Sequence, residues 1–445
     1  MEGTPQWRFA VWSAVALAVL LCFSILTDAV RERWAVSVFQ AGVFGLAIVW
    51  AVWTMFRPYR VRGSTVMIPL GGAVVWGLLQ LITDQTVYRF DTWNAVLGWA
   101  TNFVIFFLSL QVLAFIEIRQ AFRKSLLSFG CALSVVSVIQ FFTSNGKVFW
   151  LFPAQYAEQA LGPFVNRDHY ASFVALLLPL ALYKILAERK RAVGYAAVAG
   201  AMFASVIAGA SRAGSILVTL EIAVLLFPLI IGHTISLRTL LASLARIAFF
   251  AVVFTAVVGW EVLWERFQDP DPLRFRREVF YSSLCMIRDR PWTGCGLGAW
   301  PTAYPAYALL DIGAFANHAH CDWVEWTAEG GFPLLAMLLW IFIWGFRSAI
   351  RFVWGAGVVA VFLHSMVDFP LQKPALAALM FVLLAALAAS ANDQRAGEGP
   401  AHQKPIQAGP SRCPKRVPRK AFVLPVCIRL LGVILPSAVV RIRPD

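Results

Sequence analysis

Apolar runs of roughly 20 residues, the length a bilayer-crossing helix needs, recur along most of the chain and are separated by short polar or charged breaks. The runs predict helices near 9–27, 35–56, 66–82, 96–117, 125–143, 170–187, 192–209, 214–231, 244–262, 331–347, 352–368 and 374–390. The pattern therefore reads as an all-α polytopic membrane protein with about 12 transmembrane helices, and no internal repeat is visible. The N-terminal MEGTPQWRF leads straight into the first run without a small-residue cleavage site, so a retained span is expected rather than a removed signal peptide.

Charge orients the bundle. With the N-terminus inside, the cytoplasmic breaks carry Arg57, Arg60, Arg62, Arg119, Arg123, Lys124, Lys184, Arg189, Lys190, Arg191, Arg238, Arg246, Arg347 and Arg351. The opposite breaks carry only Arg31, Arg33, Arg89, Lys147, Arg167, Arg212 and Lys373, an imbalance that follows the positive-inside rule. This orientation puts one long segment, about Leu263 to Gly331, on the outer side, with a smaller loop from Thr143 to Tyr170. Long loops among closely spaced helices are usual places for function.

Residues 1–390 thus form the expected transmembrane domain. The segment 391–445, with ten basic and three acidic residues and many Gly and Pro, reads as a disordered cytoplasmic tail. Its apolar stretch 421–440 is interrupted by Pro425, Arg429 and Pro436, which favours an untidy or interfacial tail over a thirteenth span.

Composition removes most other classes. At 445 residues, 60% hydrophobic and 14% charged, the chain has more apolar side chain than a soluble core could bury, so a soluble enzyme and a nucleic-acid binder are excluded. Of the net charge of +14, half belongs to the tail: ten basic less three acidic residues gives +7. Seven cysteines without a CxxC pair indicate neither a zinc knuckle nor a disulfide framework.

Chemistry concentrates in the outer loops. Arg274, Arg276, Arg277, Arg288 and Arg290 offer planar guanidinium donors suited to phosphate oxygens, although the acidic residues of the same loop could pair with them as a solvated surface. The TGCGLG run has no preceding strand and is read as a turn rather than a nucleotide motif. Downstream, His318, His320, Cys321, Asp322, Glu325 and Glu329 gather before the tenth span. A histidine steadied by a carboxylate is suited to deprotonating a hydroxyl. The alternating His318, His320 and Asp322 could instead share a face as metal ligands, but no convincing fourth ligand stands out and no metal is expected. GPFVNRDHY, with Asn166, forms a polar entrance to the sixth span, and Ser211-Arg212-Ala213-Gly214 fixes an arginine in a tight turn.

Together these islands resemble the O-antigen ligase and polymerase superfamily of bacterial inner-membrane glycosyltransferases. GPFVNRDHYASFVALLLPLAL is similar to its Gly-x-Phe-x-Asn entry, SRAG to its Ser-Arg-x-Gly turn, RREVFYSSLCMIRDRPWTGCGLGAW to its Arg, aromatic, Gly-rich stretch, and HAHCDWVEWTAEGG to its His-Asn segment. The likeness covers roughly Leu161 to Phe332, and Cys321 stands where that family usually has asparagine. The resemblance implies a glycosyltransferase C-like fold that takes an undecaprenyl-diphosphate-linked glycan as donor at the periplasmic face, with no cofactor. It also implies Arg212 and Arg277 as catalytic arginines on the diphosphate and His320 as the base. Asn166, Arg274, Arg276, Arg288, His318, Asp322 and Glu325 are expected to bind or position substrate. Lipid A core, a growing glycan or a protein would be the acceptor, in an inverting displacement among membrane lipids. A solute carrier is the rival reading, with His364 and Asp368 in the eleventh span as its polar residues.

Overall fold

The computed structural model describes residues 4–30, 32–154, 157–231, 237–271, 274–309 and 315–398. The 421–440 stretch and the rest of 399–445 lie outside the described residues. Every apolar run falls on a helix: α1 Pro5–Leu26, α2 Trp34–Met55, α3 Met67–Ile82, α4 Arg89–Val112, α5 Ile116–Thr143, α6 Arg167–Ala187, α7 Ala192–Ala208, α8 Arg212–Ile231 and α9 Leu237–Val258. Three short helices follow, α10 Glu261–Phe267, α11 Arg274–Asp289 and α12 Trp300–Ala303, before α13 Asp322–Arg351, α14 Ala356–His364 and α15 Pro374–Glu398. Among the described residues, nine helices are long and apolar enough to cross a membrane, and α3 and the 353–364 segment are shorter apolar helices. The only strands described are two residues each, Lys147–Val148 against Phe152–Pro153.

Several boundaries differ from the sequence reading, among them the starts of α5, at Ile116 rather than near 125, and of α9, at Leu237 rather than near 244. Helix α4 starts at Arg89 rather than near 96, because its first turn can hold Arg89 and Asp91 where polar groups are tolerated. Helix α13 starts at Asp322 rather than near 331 and carries a break at Gly331, with φ +67° and ψ −169°. The stretch before that break buries Asp322, Glu325 and Glu329, so carboxylates that look like loop residues are helical and interior. At the other terminus, α15 runs past 390 to Glu398, and Asp393 on it pairs with Arg119 at 2.8 Å and Arg62 at 3.4 Å. These pairs tie the α15 end to the α2–α3 turn and to the first turn of α5 at one end of the bundle.

The core is built around α15, hydrophobic on every face and 94% buried over its most apolar stretch, which packs against α1, α4, α6 and α13. A helix apolar all round is expected to be enclosed by other helices or by lipid, and here other helices enclose it.

At the opposite end, the long segment between α9 and α13 folds back on the bundle. Gly294, Gly296 and Gly298 of the TGCGLG run all have φ between +66° and +108°. A Cβ at Gly294 would lie 2.1 Å from the Glu329 carbonyl oxygen, and one at Gly296 2.1 Å from Thr86 Oγ1. The run is a turn pressed into the α13 break. Gln80 of α3 holds it, its Nε2 donating to the carbonyls of Thr293 at 2.6 Å and Glu329 at 2.8 Å while its Oε1 accepts from Leu297 N. Gly294→Ala combines a left-handed backbone with a backbone clash, and is expected to cost about 2 kcal/mol or more. Its thermal midpoint in detergent should fall by several degrees. Gly45→Ala in α2, where an added Cβ meets nothing within 4 Å, should leave it unchanged.

Candidate active site

Helix α6 begins at Asn166, whose side chain accepts from Asp168 N at 2.8 Å and so caps the helix. The cap turns Asp168 and His169 inward, and both are buried. Asp168 Oδ1 accepts from Ser211 Oγ at 2.5 Å, which joins the α6 entrance to the Ser-Arg-Ala-Gly turn between α7 and α8. Gly214 makes that approach feasible, since a Cβ there would come within 2.2 Å of the Ala171 Cβ. From this turn Arg212 donates to the Arg266 carbonyl at 2.9 Å and pairs with Asp269 at 3.5 Å, while Arg266 reaches back to the Ala210 carbonyl.

Arginines therefore crowd one rim. Burial and the neighbouring charges of Arg167, Arg212 and Arg276 draw the Arg266 guanidinium down to about 10 from its usual range, Asp168 being the carboxylate that opposes them. Arg276 of α11 reaches across this rim, with NH2 3.3 Å from Asp168 Oδ2 and 3.9 Å from Asp368 Oδ1, and NH1 donating to the Val367 carbonyl at 2.7 Å.

Asp368, in the turn between α14 and α15, is wholly buried and joins the two halves of the site. Its Oδ1 lies 3.6 Å from His320 Nδ1 and its Oδ2 3.6 Å from His169 Nε2. The Phe369 ring is a common wall: His318 stacks on it at 4.1 Å between centroids, and His169 and His320 meet it edge-on at 4.8 and 5.1 Å. His320 has φ +53°, a left-handed conformation that costs a non-glycine residue about 1–3 kcal/mol and is held by its surroundings. Its side chain is 36% exposed, so one edge of the ring remains accessible.

The structure brings together His320, His318, Glu325, Arg212 and Arg276 from the expected set. Glu325 Oε1 is 2.8 Å from His318 Nδ1, and its Oε2 accepts from Ala319 N at 2.6 Å, so it fixes the segment that carries both histidines. Asp322 has another job. Its Oδ2 accepts from Leu371 N at 3.0 Å and its backbone N donates to the Ser365 carbonyl at 2.9 Å, which clamps the start of α13 to the α14–α15 turn. His318, His320 and Asp322 thus turn to three different partners, and among the described residues no group of three His, Cys, Asp or Glu side chains is arranged to hold a metal. Asn166 is spent on its helix cap.

Two expected arginines lie elsewhere. Arg277 pairs with Asp271 at 2.7 Å with more than half its side chain exposed, away from Asp168 and Asp368. One residue along a helix is about 100° of rotation, and this rotation turns Arg276 to the site and Arg277 to solvent. Arg288 is exposed in the last turn of α11, and the Arg274 side chain lies outside the described residues. Cys321 is buried at the α13 cap, and burial foremost pushes its thiol up, which leaves it unsuited to nucleophilic work. Sequence reasoning left Asp168, His169, Arg266 and Asp368 off the site, although each stands out as a polar residue beside an apolar span. His364, the other polar residue of the eleventh span, shares a 2.7 Å hydrogen bond with Ser172 and is buried between α6 and α14.

An all-α bundle with an arginine rim and a carboxylate-backed histidine at one end defines a membrane protein equipped to hold an anion beside a base. Residues 170–339 match the family model described as O-antigen ligase, a match that supports the O-antigen ligase and polymerase superfamily. No curated protein matches the chain. The matched span runs from the first turn of α6 into α13 and takes in Arg212, Arg266, Arg276 and His320.

Proposed function

We propose that this protein is a glycosyltransferase of the ligase or polymerase type, moving a lipid-diphosphate-linked glycan onto an acceptor hydroxyl at the periplasmic face of the bacterial inner membrane. The observation that carries this reading is the rim of Arg167, Arg212, Arg266 and Arg276 beside the His320–Asp368 pair. The four guanidiniums converge on this rim although Asp168, Asp269 and Asp368 meet them there, and a diphosphate matches their fork geometry. The excess of Lys and Arg in the opposite turns supports the periplasmic assignment.

In this mechanism the acceptor oxygen attacks the anomeric carbon from the face opposite the diphosphate. The carbon–oxygen bond to the diphosphate breaks, and the lipid diphosphate leaves with the electron pair, its growing charge met by Arg276 and Arg212. His320 Nδ1 lies 3.6 Å from Asp368 Oδ1, a charge contact that favours the proton on Nδ1 and leaves Nε2 to take the acceptor proton. One displacement gives inversion at the sugar carbon. No step calls on a metal.

Purified protein in detergent, given a lipid-diphosphate oligosaccharide and lipid A core, repeat-unit or peptide acceptors, is expected to form a transfer product insensitive to EDTA. The acceptor consumed selects among ligase, polymerase and protein-modifying activity. Absence of product with every acceptor, together with solute uptake in proteoliposomes, would overturn this reading in favour of a carrier.

A further inference from the structure

Beside the active site, across the α14–α15 turn, a cavity of about 410 Å³ lies between α2, α4, α13 and α15. It falls within the range of roughly 300–1,000 Å³ common for small-ligand pockets. The wall given by α4 includes, besides Trp99, the residues Asp91, Asn94, Ala95, Gly98, Thr101 and Asn102, spaced i, i+3, i+4, i+7, i+10 and i+11, one face of a helix. A helix facing lipid has no use for that stripe, since polar groups in hydrocarbon are costly.

The charged groups of the lining are already engaged. Arg33 lies over the Phe90 ring, Asp91 Oδ2 accepts from Thr302, and Glu329 Oε1 accepts from Trp300 N. What is left over is uncharged. Among the described residues the side-chain amides of Gln40, Asn94, Asn102 and Gln372 all line the cavity, none has a hydrogen-bond partner, and Gln372 Nε2 is fully buried. Trp99 and Trp326, 6.0 Å apart between ring centroids, add aromatic surface. Carboxamides that both donate and accept, set beside indole faces, match the alternating hydroxyls and C–H faces of a sugar. They match neither a diphosphate, which needs cations, nor an acyl chain, which would leave the amides unpaired.

We infer that this cavity binds a neutral saccharide unit, separately from the arginine rim. The inference rests on the glycan-transfer reading, whose substrates supply such a unit, and it divides the labour: charge is held at the rim and hydroxyls in the cavity.

Gly98 gives the test. A Cβ there meets nothing within 4 Å, so Gly98→Leu projects side chain into open space without disturbing the helix. Full-length protein in lipid nanodiscs would be titrated calorimetrically with neutral oligosaccharides of glucose, galactose, mannose and N-acetylglucosamine. At least one is expected to bind wild type, with affinity falling tenfold or more in Gly98→Leu and in the Asn94→Leu, Asn102→Leu double variant. Arg276→Ala should bind the same sugar as wild type. Failure of every sugar to bind, or binding unchanged in both cavity variants, overturns the inference, as does labelling of α4 in the cavity by a diazirine fatty acid that oligosaccharide does not displace. If sugar binding follows Gly98 yet no acceptor yields product, the cavity stands and the transferase reading falls.

Discussion

Arg276→Ala is expected to lower glycan transfer on the order of 100-fold, while Arg277→Ala, one residue along, stays within about twofold of wild type. The two side chains share a helix, a charge and a size, so a generic loss of basicity or helix stability would affect them alike. Their surroundings differ. Arg276 NH2 touches Asp168 and NH1 holds the Val367 carbonyl beside Asp368, whereas Arg277 pairs with Asp271 in solvent, where an ion pair contributes little. Arg276→Lys should restore only part of the activity, because a single ammonium cannot reproduce the fork whose NH1 holds the Val367 carbonyl while NH2 meets both carboxylates. Initial rates with saturating acceptor and varied donor would show the loss. Equal losses at both positions would place the diphosphate elsewhere on α11.

Asp368→Asn should reduce turnover further, on the order of 1,000-fold, with acceptor KM changed only a few-fold. In the proposed mechanism Asp368 is a positioning residue that acts through His320, and it also lies within 3.6 Å of His169 and 3.9 Å of Arg276. The amide keeps the volume but can present N–H to His320 Nδ1, which favours the tautomer whose Nε2 already carries a proton and cannot accept another. The split between turnover and KM provides the readout that a merely structural role would not give, with helix content and elution volume as in wild type. An Asp368→Asn variant with full turnover would remove Asp368 from the positioning role.

Much of this fold could be read from the chain because a bilayer imposes a strict code: each apolar run had to satisfy its backbone internally, and each became a helix. The starts of α4 and α13 were less legible, since Arg89, Asp91, Glu325 and Glu329 look like loop residues until their partners on other elements are known. The site divides in the same way. Arg212 and His320 were legible as candidates because each sits in a short local motif, SRAG and HAHCD. Asp368 was visible as a charge in a span but not as the partner of His320, 48 positions away by subtraction of their numbers, since tertiary packing creates that pair. The choice between Arg276 and Arg277 depends on how α11 is rotated against Asp168, which no local pattern records.

The enclosure of α15 has a consequence for how the protein is made. The helix that fills the centre is also the one that emerges from the ribosome after α1 to α14, so the earlier helices are made before the surface on which they converge exists. Insertion and folding are therefore separate events, and a chain stopped before Pro374 would reach the membrane yet lack the centre on which its helices converge. Quality-control proteases that survey nascent membrane proteins would meet an open bundle until translation passes Asp393 and the clamp with Arg62 and Arg119 closes.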